Sequence, residues 1–241
     1  NFKAHIELSY YREIALQNLN LVWELKSGGI VYEKGEASVS TDLTDNYLDI
    51  CDISVKIPEV KSTEKLTLSI RIDNTDIYKN YDLWAYPKDV FIEKDGLNIF
   101  DSLSEEAIQL LKKGEKVLLI PKLDNLKNSI EGFYSTNFWC YPMFRSISES
   151  MNKRVPVGTM GLLINRLHPI FEYFPSEEYL TYQWWSIVTN SRSMILDDTP
   201  ENFRPIVQTI DNFERNHKLG LIFECKIFRG KLLVCSCDFD K

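Results

Sequence analysis

The sequence predicts two domains: an all-β sandwich over residues 1–87, then an α/β domain over residues 88–241. Two observations carry this. Up to Pro87, short runs alternate apolar and polar residues, with turn residues between them. Beyond it, a capped amphipathic helix is followed by a continuous apolar run, which needs cover on both faces.

The elements follow in order. "LNLVWELKSGGIVYEKGEASV" reads as a strand, a Gly28-Gly29 turn and a returning strand. "YLDICDISVKIP" and "EKLTLSIRID" alternate as half-buried strands do, with Leu66, Leu68, Ile70 and Ile72 facing inward. "NYDLWAYP" closes the series at Pro87. Strands at such spacing suggest a small sandwich of the immunoglobulin-like kind. No Cys…Trp…Cys pattern marks an antibody-type domain.

In the second half, "DVFIEKD" reads as a short strand. "SLSEEAIQLLKKGEKVLLIPK" is a helix and then a buried strand. Ser102 or Ser104 caps the helix, Glu105 and Glu106 suit its positive first turn, and Gly114 ends it behind Lys112 and Lys113. "KVLLIP" is expected to be an interior, parallel strand. "TMGLLIN", "SMILDD", "LGLIFECKIF" and "GKLLVCSCDF" supply more strands, and "FRPIVQTIDNFERN" reads as helical. A covering helix is expected after the last strand, and the chain opens on Asn1, so it is expected to be a processed or excised piece of a longer one.

Composition narrows the function. Of 241 residues, 44% are hydrophobic and the net charge is −7, which argues against a nucleic-acid surface. No segment approaches the ~18 apolar residues of a membrane helix. The five cysteines, Cys51, Cys140, Cys225, Cys235 and Cys237, show no disulfide framework. Cys235 and Cys237 would share a face on one strand but bridge poorly, and read as buried thiols. No CxxC pair suggests a zinc site, and no metal or cofactor is expected.

Catalytic patterns are sparse. Neither GxxxxGK[ST] nor GxGxxG occurs, and no G-x-S-x-G elbow exists. "GTMG" lacks a strand–turn–helix context. His168 precedes Pro169 in a loop-like stretch, and His217 sits near an expected helix end. Asp197-Asp198 is a metal or acid/base pair, or else the cap of a helix starting near Pro200. Glu214-Arg215 reads as an ion pair or a polar contact.

Aromatic residues cluster in "STNFWCYPMF" and "LTYQWWSIV". Such rings stack on sugars, with Gln183, Asn137 or Arg204 able to bond hydroxyls. Adjacent residues point ~100° apart on a helix and to opposite faces on a strand. Trp184 and Trp185 therefore cannot both lie flat on one ligand. One ring is expected in the core and one near the surface.

The run "TYQWWSIVTNSRSMILDDTPENFRPIVQTIDNFERNHKLGLIFECKIFRGKLLVCSCD" resembles the C-terminal region of bacterial glycoside hydrolase family 2 proteins, the large β-galactosidase-like enzymes. "GFYSTNFWCYPMF", "VGTMGLLINRLHPIFEYFP" and "YDLWAYP" resemble the same proteins. The likeness covers nearly the whole chain and is strongest from about Gly132 to Asp238. It implies that residues 1–87 are a late immunoglobulin-like domain. It implies that residues 88–241 are a flavodoxin-like, class I glutamine-amidotransferase-like three-layer domain without the catalytic cysteine.

The family hydrolyses glycosides with two glutamates placed by a barrel of roughly 200–250 residues. The residues beyond Pro87 are too few to form one, so no catalytic residue is expected here. The expected role is accessory, in polysaccharide degradation: to support the catalytic barrel and other domains of a parent chain, or to contribute to carbohydrate recognition. Carbohydrate-contacting candidates are Trp139, Trp184 and Trp185 for stacking, with Gln183, Arg204 and His217 as polar partners. By the same resemblance the expected location is periplasmic or secreted. Two rivals are an independent hydrolase using the α/β domain and a stand-alone carbohydrate- or protein-binding module.

Overall fold

In a computed structural model, the structure describes residues 2–11, 19–39, 47–89, 96–132, 134, 146, 149–152, 158–213 and 215–239. The chain divides into two compact units, Asn1–Phe91 and Ile92–Lys241.

The first unit is built of antiparallel strands. β2 (Leu19–Ser27) and β3 (Ile30–Val39) form the expected hairpin. Its turn needs glycine, because Gly28 and Gly29 both adopt positive φ, at 53° and 86°. β5 (Glu64–Ile72) and β6 (Tyr78–Ala85) extend this sheet in the order β3-β2-β5-β6. β1 (Phe2–Ser9) pairs with β4 (Tyr47–Val55) as a separate two-stranded sheet, with a bulge at Ile6/Glu7. The two sheets share one core. Ile6, Ile53 and Val55 from the pair pack in the same cluster as Leu21, Leu25, Leu66 and Leu68 from the four strands. Burial of each such side chain contributes about 1.5–3 kcal/mol.

The second unit centres on a sheet ordered β10-β12-β13-β14-β8-β7, with β11 pairing both β13 and β9. Its strands are β7 (Asn98–Phe100), β8 (Lys116–Leu119), β9 (Ser129–Glu131), β10 (Gly161–Ile164), β11 (Arg192–Ile195), β12 (Val207–Ile210), β13 (Leu219–Ile227) and β14 (Gly230–Cys235). Helix α1 (Glu105–Lys113) forms where its signals place it. Ser104 Oγ accepts from Ala107 N, and Gly114 closes the helix at φ 98°. α1 links β7 to β8, which lie parallel, and β8 also runs parallel to β14.

The flavodoxin-like α/β expectation for residues 88–241 is corrected here. Among the named strands, parallel pairing is confined to β7, β8 and β14, and every other strand pair of the sheet is antiparallel. The protein is mostly β-sheet. The sheet is covered on both faces all the same. Leu232 and Val234 of β14 pack with Ala107 and Leu111 of α1, while Leu233 and Cys235 face the cluster around Trp184. The run "KVLLIP" is the interior, parallel strand expected of it: β8 lies between β14 and β7 and runs parallel to both.

"FRPIVQTIDNFERN" is also corrected: β12 lies where a helix was expected. Ile206, Ile210 and Phe213 have helical spacing, but Ile206, Val207, Thr209 and Ile210 are β-branched and favour extended backbone. No helix starts near Pro200 either. The stretch "DVFIEKD" lies almost wholly outside the described residues, only Asp89 falling within them.

One turn carries strain. The β13–β14 hairpin closes through Phe228 and Arg229, between paired Ile227 and Gly230. Phe228 sits at φ 53°, which costs a side-chain-bearing residue about 1–2 kcal/mol. Its ring lies 5.7 Å from Lys112 Nζ, an exposed contact that returns about 0.5–1 kcal/mol. Phe228→Gly is therefore expected to raise stability by roughly 0.5–1 kcal/mol, read as a higher urea midpoint at unchanged slope. A lower midpoint would show that the phenylalanine is held there by contacts stronger than these.

Candidate functional site

The double tryptophan falls on a tight double turn. Tyr182–Trp184 is a 3₁₀ turn that runs directly into α2 (Trp185–Val188). This geometry separates the two rings. Trp184 is 2% exposed and packs with Phe171, Val188, Leu221 and Ile222. The rings of Phe171 and Phe174 meet it edge-on, with centroids 6.0 and 5.3 Å away. Its indole Nε1 donates to Ser176 Oγ at 2.9 Å. Trp185 is 48% exposed, beside the open ring of Tyr182. Trp184 is a core residue, and Trp185 keeps a face for solvent or a ligand.

The polar candidates hold loops. Gln183 Nε2 donates to the Pro175 carbonyl at 2.9 Å, tying the 3₁₀ turn to the loop before it. Arg204 Nη1 donates to the carbonyls of Glu201 and Phe203. His217 Nδ1 meets Asp197 Oδ2 at 2.6 Å, and Asp197 Oδ1 accepts from Lys218 N at 2.7 Å. These bonds, His217 first, hold the Asp197 carboxyl below the usual carboxylate range. Asp197 thus anchors the entry to β13, and no helix starts near Pro200 for it to cap. Thr199 and Pro200 are tied down by Lys218 Nζ, which donates to Thr199 Oγ1 and to the Pro200 carbonyl.

Among the described candidates, Arg204 and Trp184 adjoin different cores. Phe203, next to Arg204, packs with the α1-side core, whereas Trp184 belongs to the core on the opposite face. Trp139 lies outside the described residues. His168 caps a short 3₁₀ turn, Pro169–Phe171, through its Nδ1, which accepts from Ile170 N at 3.3 Å.

Two arrangements were not anticipated. Arg215 pairs with Asp211, whose side chain is 2% exposed: Nε and Nη2 lie 3.1 and 2.8 Å from Oδ1. Asp211 also accepts from the backbone N–H groups of Asn212 and His217. Glu214, the expected partner, is outside the described residues. The four-residue spacing of Asp211 and Arg215 was the available signal. The second arrangement is on the first unit, where His5 lies 2.8 Å from Asp52, 3.3 Å from Asp49 and 3.7 Å from Glu7. The Asp52 hydrogen bond leads in raising its pKa above the ordinary histidine value.

A concavity of about 510 Å³ opens beside the Trp184 core. Phe171, Phe174, Trp184 and Ile222 line it, with Cys235 and Cys237 on the β14 side. Among the described residues, no group of three or more His, Cys, Asp or Glu could hold a metal ion. Among them too, no helix is long and apolar enough to cross a membrane.

Comparison with known families divides the chain where its composition does. Residues 1–87 match the domain of unknown function DUF8488, and residues 98–241 match the domain of unknown function DUF8487. No curated protein matches the chain. With more than half of its length in that second match, the chain belongs to the DUF8487 family.

Proposed function

We propose that this chain is an accessory, non-catalytic segment of a family 2 glycoside hydrolase. In this reading its first unit is an immunoglobulin-like module, and the second supports the barrel of a parent chain or contacts its carbohydrate. The observation that carries the reading is how the chemically capable side chains are used. Gln183, Arg204, His168 and His217 each spend a hydrogen bond on holding a loop. The resemblance of residues 181–238 to such enzymes supplies the parentage, and with it a periplasmic or secreted location.

Trp185 is the residue placed to touch a glycan, because its ring is half open while Trp184 is enclosed. Titration calorimetry with galactosides and with pectic and hemicellulosic oligosaccharides is expected to give heat that vanishes in Trp185→Ala. Loss of one stacking ring costs about 1–3 kcal/mol, or roughly 5–150-fold in affinity. Heat that persists unchanged in Trp185→Ala would move the contact elsewhere, and no heat with any glycan would leave packing against other domains as the whole role.

The His217–Asp197 pair favours a second reading, a hydrolase built on the second unit, since an oriented imidazole serves as a general base. Such a site also needs a nucleophile on a strained turn. Among the described residues, the non-glycine positions at positive φ are Asn74, Asn152, Asn216 and Phe228, none of them Ser or Cys. A panel of esters and amides, assayed with the protein and with His217→Ala, separates the two readings.

A further inference from the structure

The four-stranded sheet of the first unit ends on an open edge. β6 closes the order β3-β2-β5-β6, and among the described residues it pairs with β5 alone. It runs against β5 from Tyr78 to Ala85 without a register shift and without proline. Other exposed edges differ. The β2–β3 ladder is bulged at Leu25/Lys26 and the β1–β4 ladder at Ile6/Glu7. In the second unit, the end strand β7 has only 3 residues. Bulges and short strands keep edges from pairing with another chain, and β6 has neither device.

The side chains of β6 divide between two faces. Tyr81 and Leu83 stand opposite Leu68 and Leu66, on the core side. Tyr81 is nevertheless 50% exposed, so this core reaches the edge with an uncovered ring. Tyr78, Asn80, Asp82 and Trp84 occupy the outer face, opposite Arg71, Ser69, Thr67 and Lys65. Asp82 is fixed there, with Lys65 Nζ 3.0 Å from one carboxylate oxygen and Thr67 Oγ1 donating to the other at 3.5 Å. Lys79 brings a charge to the core side, but its Nζ already lies 6.0 Å from the Tyr81 ring, against an aromatic face.

We infer that β6 is an interface with a second copy of this chain, in which the two β6 strands pair antiparallel and the two sheets become one. A twofold axis normal to the sheet keeps outer face with outer face, so only residues of the same face can meet. Centring the axis on Tyr81 satisfies every position. Tyr81 then meets Tyr81, Asn80 meets Asp82, Lys79 meets Leu83, and Tyr78 meets Trp84. Aromatic rings face aromatic rings, the Asn80 amide donates to the Asp82 carboxylate on both sides of the axis, and no like charges are opposed. The Tyr81 pair covers the open end of both cores. Moving the axis to Asp82 sets that carboxylate against itself, which is destabilising. Moving it to Asn80 shortens the ladder and loses the Tyr78–Trp84 pairs. The strand's own sequence therefore selects one register. The inference holds whether or not the second unit touches a glycan.

The test is analytical ultracentrifugation of the whole chain over a concentration series. One strand edge buries less than the roughly 1,200 Å² of a standard interface, so a weak dimer is expected, with a Kd of about 100 µM. Asn80→Asp opposes like charges twice and is expected to weaken it about tenfold, while Asn80→Lys is expected to strengthen it by a similar factor. Cysteine substitution reads the register. Directly opposed residues have Cα atoms about 4.5–5.5 Å apart, within disulfide reach. Tyr81→Cys is therefore expected to link two copies under mild oxidation, with the bond mapped by mass spectrometry. Asp82→Cys is expected to stay unlinked, because its counterpart lies beyond about 7 Å. If the variants misfold, the concentration series on the unmodified chain still decides. A chain that stays monomeric to about 1 mM, a dimer indifferent to both Asn80 variants, or linkage at position 82 in place of 81 would each overturn the interface. So would slow exchange of every β6 amide in the dilute monomer, which would show the edge already covered by another segment of the chain.

Discussion

Trp184→Ala is expected to destabilise the second unit by about 4 kcal/mol, in the range for truncating a large buried aromatic residue. Three losses combine. The indole is 2% exposed, so its whole apolar surface returns to a cavity. Phe171 and Phe174 each lose an edge-on partner. Ser176 Oγ loses the Nε1 donor. The site cannot readily collapse, because the concavity already lies beside it. Trp185→Ala, one residue on, is expected to change stability by no more than about 0.5 kcal/mol, as for an ordinary surface position. Urea unfolding of the two variants measures this contrast. Equal losses would mean that the tight turn does not divide core from surface as described.

Gly230→Ala is expected to cost about 3 kcal/mol, the upper end for forcing atoms into a filled space. A Cβ on Gly230 would stand 2.5 Å from Glu115 O and 2.8 Å from both Leu111 Cα and Leu111 O. All three are backbone atoms, so no side chain can swing aside. The end of α1 and the start of β14 would have to part, although Lys231 N bonds Glu115 O there. Gly161→Ala is the control. Its nearest neighbour is Ile210 Cδ1 at 3.9 Å, an ordinary contact, and its expected cost is within about 0.5 kcal/mol. A mild Gly230→Ala would show that α1 is loosely docked on the sheet.

Much of the first unit was legible because its strands are half-buried. Alternation in "EKLTLSIRID" places Leu66, Leu68 and Ile72 in the core, and Gly28-Gly29 pins the hairpin register. β1 alternates Phe2, Ala4, Ile6 and Leu8 equally well, but its partner β4 begins only at Tyr47, beyond the reach of a local pattern. α1 was legible from its caps and charges. The second sheet was harder, because strands covered on both faces lose the alternation that reports direction and register. β12 was mistaken for a helix because its apolar spacing satisfies both periods, and only its β-branched content distinguishes them.

At the candidate site, the division of the two tryptophans followed from adjacency alone. Which ring is buried depended on Phe171 and Phe174, which a neighbouring loop brings to Trp184. The polar residues were misleading for a related reason. Gln183, Arg204 and His217 have the chemistry to bind hydroxyls, but their partners are a loop carbonyl, two more carbonyls and a carboxylate twenty residues away. Sequence shows what such groups can bond, and the tertiary fold decides what they do bond.

The most direct measurement is hydrolysis of a panel of chromogenic glycosides by the purified chain. If the chain is an accessory segment, release of chromophore stays at the uncatalysed rate, and His217→Ala leaves it there. Release above that rate, abolished by a single substitution in the folded protein, would contradict the account.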